Sequence, residues 1–212
     1  MIPGATYIFE CPNCGKPIQR GSMMSGNTFG ASIYSDGKTM APMLPDFPEI
    51  TKCPDCKTIF WLSILEAKER IKTMDFSNPM LQKAPRANFL TLNEYFEALE
   101  NGIAKNRNEE LYIRKQICRL FNDPLRQNKW FRKPESKDIR REENLKILLE
   151  LLDVSNINDR IMAAEIKRNL GEFDECIELI NGIEDERFNC LKEQFIKACT
   201  KKNRRVMLLK HL

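Results

Sequence analysis

The chain has 212 residues, of which 42% are hydrophobic and 30% are charged, and its formal net charge is +4. This length and apolar content allow an ordinary buried core in one or two domains. The charge is too small to indicate nucleic acid by itself. No apolar run approaches the roughly 18 residues that a membrane-spanning helix needs, because the longest candidate, 59–65, is interrupted by Ser63. We therefore expect a soluble, cytoplasmic protein that does not enter a membrane.

Two Cys-x-x-Cys pairs dominate the N-terminal part of the chain. Cys11 and Cys14 form the first pair, Cys53 and Cys56 form the second, and residues 15–52 separate them. Two cysteines with two residues between them let one tight turn direct both sulfurs at one ion, and two such turns complete the tetrahedron that Zn²⁺ accepts. The separation exceeds the roughly 15–20 residues usual in zinc ribbons. The pattern predicts one tetrathiolate metal site, with structure of its own in the long insert.

The residues around each pair favour extended chain. β-branched and aromatic side chains precede and follow both pairs, in the segments 5–10, 16–19, 49–52 and 57–61, and these residue types favour strands. Each half therefore reads as strand, knuckle, strand. The knuckle turn suits Gly15, which takes a positive φ without penalty. Lys57 holds the matching place in the second knuckle, where a left-handed conformation costs roughly 1–2 kcal/mol.

Cys-Pro-x-Cys-Gly paired with Cys-Pro-x-Cys resembles the rubredoxin-like zinc ribbon over residues 5–62. The resemblance implies a small β fold that holds either a structural zinc or a one-electron iron. Rubredoxins proper carry glycine in both knuckles and a shorter insert. Lys57 and the long insert therefore favour structural zinc held by Cys11, Cys14, Cys53 and Cys56, with iron as the alternative.

Two other interpretations of the cysteines are weaker. A disulfide framework needs an oxidising compartment, and residues 1–4 lack the basic and long apolar regions of a signal peptide. A thioredoxin-type dithiol needs a Cys-x-x-Cys that opens a helix, whereas Pro17 and the extended flanks place each pair between strands. The four remaining cysteines lie on or beside apolar helix stripes, where free cysteine packs as a small hydrophobe: Cys118, Cys176, Cys190 and Cys199.

The insert between the cysteine pairs contains one hairpin signal. Asp36-Gly37 suits a type I′ turn between extended segments at 30–35 and 38–41. Three prolines after this hairpin, at positions 42, 45 and 48, enforce a non-helical return to the second knuckle. The loop Ser25–Gly30 could present backbone amides to an anion. However, it lacks the Gly-Lys-Ser/Thr ending of a P-loop, so a plain loop is the preferred interpretation.

The chain becomes helical and charged after the second knuckle. The pattern predicts a short helix over 64–74 and a Pro-rich connector over 76–90. Thr91 and Glu94 then form a capping box that opens a helix ended by Gly102. Five further amphipathic helices follow at 109–121, 139–152, 159–170, 173–181 and 185–201. We expect an α+β protein with a zinc-ribbon domain at 1–75, a linker at 76–90 and an all-α domain of antiparallel helical hairpins at 91–212.

One segment of the helical part, residues 162–177, resembles a tetratricopeptide hairpin. Small residues, a turn glycine and a following aromatic occupy the places of that pattern at Ala163, Gly171, Phe173 and Cys176. The sequence contains one good copy, and repeat arrays need at least three to bury a continuous core. The resemblance therefore implies an α-hairpin domain with one repeat-like turn, and a protein-binding role by analogy.

The residues do not nominate a catalytic centre. His211 is the single histidine, so almost no histidine is available for Ser–His or Cys–His catalysis. We therefore predict an interaction or scaffold protein in preference to an enzyme. Nucleic-acid binding is the alternative. The basic stretch 126–141 places aromatic rings among cations, and 197–212 adds further basic residues. Charge runs of this kind are nevertheless more often solvated faces.

Overall fold

The computed structural model describes residues 1–73, 75, 77–126 and 138–210, in an α+β arrangement that confirms the predicted fold class. The chain forms two compact units, one made of residues 1–31 and 41–103 and the other of residues 32–40 and 104–212. We call them the ribbon unit and the helical unit. The predicted domain division at 76–90 remains a prediction. None of the described helices is long and apolar enough to cross a membrane.

The sheets of the ribbon unit are small and antiparallel. Its strands are β1 (Ile2–Pro3), β2 (Thr6–Glu10), β3 (Pro17–Arg20), β4 (Met23–Ser25), β7 (Ile50–Lys52), β8 (Ile59–Trp61) and β9 (Glu69–Ile71). β2 lies between β3 and β9, β1 pairs with β4, and β7 pairs with β8. Strands this short cannot stand alone. Their shared apolar cluster comprises Phe9, Cys11, Ile18, Cys53, Phe60 and Leu62, so the first cysteine of each pair lies in the core of this unit.

The predicted helix over 64–74 is wrong. Residues 69–71 form β9, which pairs antiparallel with β2 in the register Thr6↔Ile71 and Ile8↔Glu69. Along β9, Arg70 is exposed and Ile71 is buried with Ile8 and Ala84, which is the alternation of a half-buried strand. The pairing joins segments about sixty residues apart in the sequence, so no local pattern could reveal it.

Two helices complete the ribbon unit, α1 (Pro79–Lys83) and α2 (Leu92–Glu100). The Asn78 side chain caps α1, which lies within the predicted connector. The Thr91–Glu94 capping box of α2 is confirmed in both directions. Gly102 has φ +61°, and the amide of Ile103 donates to Ala98 O at 2.9 Å. This is the Schellman ending that glycine allows, as the sequence predicted.

The described part of the helical unit contains five helices: α3 (Arg107–Arg126), α4 (Ile139–Glu150), α5 (Ile157–Leu170), α6 (Phe173–Asn181) and α7 (Asn189–Thr200), the last preceded by a 3₁₀ turn at Glu186–Phe188. Each helix packs on the next one along the chain. Gly171 ends α5 with φ +93° and turns the chain into α6, where the tetratricopeptide-like pattern places its glycine. The predicted helix 173–181 is confirmed at both ends.

The predicted end of α3 near 122–124 is wrong, because the helix continues through Pro124 to Arg126. Proline inside a helix removes one backbone hydrogen bond. Here Asn122 and the Arg126 side chain are buried, and Arg126 Nη1 donates to the carbonyl of Arg119 at 2.8 Å. These contacts stabilise the last helical turn although proline disfavours it. The basic stretch 126–141 lies largely outside the described residues.

The hairpin predicted in the insert is present, as β5 (Ser32–Ile33) and β6 (Thr39–Met40), but it belongs to the helical unit. Its turn is not type I′, which needs a positive φ at both central residues. Among the hairpin residues only Gly37 has one, at +72°. Tyr34 N donates to Lys38 O, and Gly37 N donates to Tyr34 O. The loop is therefore the three-residue kind, with glycine in the left-handed position.

Candidate metal centre

Two turns of nearly identical geometry carry the paired cysteines. Cys11 N donates to Lys16 O at 2.9 Å and Gly15 N donates to Cys11 O at 2.9 Å. In the second knuckle, Cys53 N donates to Thr58 O at 2.9 Å and Lys57 N donates to Cys53 O at 3.1 Å. The first knuckle joins β2 to β3 and the second joins β7 to β8. The strand–knuckle–strand prediction is therefore confirmed for both halves.

Both knuckles require a left-handed residue after the second cysteine. Gly15 has φ +70° and Lys57 has φ +64°. Glycine takes this conformation freely, whereas a side chain there costs roughly 1–2 kcal/mol. An ideal Cβ at Gly15 would meet nothing within 4 Å, so backbone conformation and not crowding distinguishes the two positions. The second knuckle holds its geometry despite this cost.

The four predicted ligand residues lie together. All four sulfur atoms lie within 4.8 Å of one another. Across the two knuckles, Cys11 Sγ is 3.6 Å from Cys56 Sγ, and Cys14 Sγ is 3.7 Å from Cys53 Sγ. A tetrahedron with Zn–S bonds of about 2.3 Å has edges of about 3.8 Å. The spacing of the sulfurs therefore matches the set that one tetrahedral ion requires.

The site is buried on one side only. Cys11 and Cys53, the first cysteine of each pair, lie in the apolar cluster of the ribbon unit, whereas Cys14 is exposed and Cys56 is half-buried. Burial raises the pKa of the Cys11 thiol to about 12, against the ordinary 9.0. A cation among the sulfurs would reverse this effect, because metal ligands must be thiolates and binding releases their protons.

Residues around the cysteines stabilise thiolates and were not predicted individually. The Thr58 hydroxyl lies 3.3 Å from Cys56 Sγ, and it lowers the pKa of that thiol to about 5, with further help from the Thr58 amide and the Asn13 side chain. The amides of Cys14 and Asn13 favour the thiolate of Cys11. Their only sequence signal is their place in or just after a knuckle, where donors turn toward the sulfurs.

The other cysteines do not join this cluster. Cys118, Cys176 and Cys199 are buried among the helices, as predicted, and Cys190 is half-buried. Among the described residues, the four knuckle cysteines form the one group of metal-ligating side chains spaced to share an ion. His211 lies outside the described residues. The loop Ser25–Gly30 is described, and Asn27 Oδ1 accepts from the amide of Phe29 at 3.0 Å.

Comparison of the chain with protein-family models, with curated proteins and with solved structures finds no match. The resemblances to the rubredoxin-like ribbon and to the tetratricopeptide hairpin therefore remain predictions based on motifs. The clustering of the four cysteines does not depend on those resemblances, because it follows from the coordinates of the knuckles.

Proposed function

We propose that Cys11, Cys14, Cys53 and Cys56 hold one structural zinc ion, in a non-enzymatic protein that acts by binding another protein through its helical unit. The observation that supports the metal centre is the fit of the cross-knuckle Sγ–Sγ distances, 3.6 and 3.7 Å, to a tetrathiolate tetrahedron. Four protein ligands leave no open position for a substrate, which is typical of structural sites.

The small sheets of the ribbon unit support a folding role for the ion. Its sheets have two or three short strands each, and small units with little core commonly need a metal or disulfides. Two of the four ligands, Cys11 and Cys53, lie in its apolar cluster. Zinc would therefore join the two strand pairs beside this cluster, and its binding free energy would be folding free energy.

The metal assignment is tested on the purified full chain without an affinity tag. We expect elemental analysis to give one zinc per chain and the visible spectrum to be colourless. Cys53→Ser should lose the metal and the near-UV signal of the ribbon unit while helical circular dichroism persists. Cys190→Ser is the matched control and should keep the metal. One iron per chain with charge-transfer bands would instead favour a rubredoxin-type electron carrier, and no metal in either protein would refute the site.

Protein binding by the helical unit is supported by successively packed helices and by the repeat-like turn at Gly171. Nucleic acid remains the alternative, carried by the basic stretches 126–141 and 197–212. In the second stretch, Arg204 Nε donates to the carbonyl of Asn169 at 2.8 Å, so part of this charge serves internal packing. Capture of a defined protein from cell extract, with no affinity for RNA or single-stranded DNA at low salt, is the expected result.

A further inference from the structure

The hairpin of the insert is bound to the helical unit chiefly through its turn. Asp36 is buried, and its carboxylate accepts from Asn122 Nδ2 at 2.9 Å and forms an ion pair with Arg126. The carbonyl of Gly37 accepts from Arg119 Nη2 at 3.1 Å. We call the four side chains that contact this turn the turn-recognition face; they are Arg119, Asn122 and Arg126 of α3 and Arg168 of α5.

Ser35 of the turn and the neighbouring strand β5 add further polar contacts. Ser35 Oγ accepts from the amide of Met207 at 2.8 Å, and Arg168 Nη2 lies 3.4 Å from it. Ser35 N donates to Met207 O, and Leu209 N donates to Ile33 O. The segment 207–209 thus lies beside β5 as an added strand. Strand addition of this kind is a common way for a protein to bind an extended peptide.

The apolar cores of the helical unit do not use the hairpin. One cluster joins α3, α4 and α5 around Leu148 and Ile166, and the other joins α5, α6 and α7 around Ile180 and Phe195. Among the described residues, neither cluster includes any of 32–40. Hydrophobic burial is the main favourable contribution to folding. The helices therefore have their cores without the hairpin, which distinguishes it from an ordinary structural element.

The hairpin also leaves the face incompletely matched. Asn122 Oδ1, Arg126 Nε and Arg168 Nε are buried and have no hydrogen-bond partner among the residues that the structure describes. A cavity of about 250 Å³ lies beside the turn, between it and residues of α3 and α5 that include Lys115, Arg119 and Met162. Buried polar groups are usually satisfied and cores are usually filled. Incomplete matching makes release of the hairpin less costly than release of a packed core element.

We propose that residues 32–40 are an intramolecular ligand of the turn-recognition face, and that a partner reaches this face by presenting its own acidic turn in place of the hairpin. The inference rests on the proposed function, because it specifies how the helical unit binds protein. The recognition chemistry is that of Ser35, Asp36 and Gly37: a carboxylate between Arg126 and Asn122, a hydroxyl at the amide of Met207, and a carbonyl at Arg119. While the hairpin is bound, the face is closed to other segments.

In the test variant, glycine and serine residues replace residues 32–40 of the full chain, and the length of the segment is unchanged. A labelled synthetic peptide of residues 30–42 is then added. We expect the variant to keep its helical circular dichroism and to bind the peptide, as measured by fluorescence anisotropy. The intact protein should bind at least tenfold more weakly, because its own hairpin occupies the face. A peptide carrying Asp36→Asn is the matched control and should also bind at least tenfold more weakly.

Each other outcome contradicts the inference. Loss of helical structure in the variant would make the hairpin a core element and not a ligand. A folded variant that binds neither peptide, or binds both equally, would show that the face does not recognise the acidic turn. Equal binding by the intact protein would show that the face is not closed. The zinc measurement fails or succeeds independently, since the peptide test does not involve the metal centre.

Discussion

Replacing Asp36 with alanine should remove the contact on which hairpin binding depends most. The Asp36 and Arg126 side chains are 0% and 1% exposed, and breaking a buried ion pair by removing one partner costs about 3–5 kcal/mol. Arg126 keeps a second carboxylate, Asp123, which is partly exposed. We therefore expect the free energy of unfolding to fall by about 3 kcal/mol, the low end of this range. The fall cannot exceed the free energy needed to detach the hairpin, because detachment returns Arg126 to water.

Urea denaturation followed by helical circular dichroism measures this loss. With a slope of about 2 kcal/mol per molar urea, the midpoint should fall by about 1.5 M. Lys38→Ala is the control: Lys38 Nζ lies 2.6 Å from Asp123 in a partly exposed pair, which contributes about 0–1 kcal/mol. The double variant Asp36→Leu with Arg126→Met should recover much of the loss, because neither charge is then buried alone.

A specific result would refute this reasoning. Hydrogen exchange at the amides of Ser35 and Leu209 reports whether the hairpin stays bound, because both amides donate within the added strand. If Asp36→Ala costs no more than Lys38→Ala while these amides remain protected, the buried pair does not hold the hairpin. If the amides instead lose protection, the hairpin has detached, and the small loss in the free energy of unfolding is the free energy of that detachment.

Three further predictions concern a helix cap and two left-handed turn residues. Hydrogen bonding to Thr91 lowers the pKa of Glu94 below its ordinary 4.5, so its stabilisation of α2 is present above that value and is lost as pH falls through the folded pKa. In urea titrations, Thr91→Ala should cost about 1 kcal/mol at neutral pH, and the difference should shrink in acid. Lys57→Gly should raise the free energy of unfolding by up to about 1 kcal/mol because it relieves a left-handed side chain, and an unchanged melting temperature would contradict this. Gly171→Ala should cost about 1–2 kcal/mol at the α5–α6 turn, checked by thermal denaturation; no loss would contradict the argument from its φ.

Local chemistry accounts for what the sequence predicted. The two Cys-x-x-Cys turns are complete within six residues each, so the knuckles, Gly15 and the flanking strands could be predicted directly. The Thr91 capping box and the helix at 173–181 are equally local. Placing all four cysteines in one site required a further inference, that one ion binds four thiolates. The positions of the sulfur atoms agree with it.

The features that were missed depend on distant partners. Asp36 was interpreted only as a turn residue, yet it is buried against Asn122 and Arg126, which lie far along the chain. Glu165 and Arg168 are fully buried on α5 although charged helical residues usually face solvent, and Arg168 also donates to the distant carbonyls of Asn203 and Arg205. The continuation of α3 through Pro124 follows from the same contacts. Single-sequence patterns report propensity and periodicity, and neither encodes a tertiary ion pair.

The hairpin also sets an order of events during synthesis. The ribosome makes the chain from the N-terminus, and domains generally fold as they emerge. Ser35 is made before its partner Met207, which lies 172 residues later. The strands of the ribbon unit and both of its knuckles are available by residue 71, so its sheets can form before the partners of the hairpin are made. Until the helices that contact it have been made, the nascent chain therefore displays Ser35-Asp36-Gly37 in solvent, and a chaperone or partner that recognises an acidic turn could bind it before the helical unit exists.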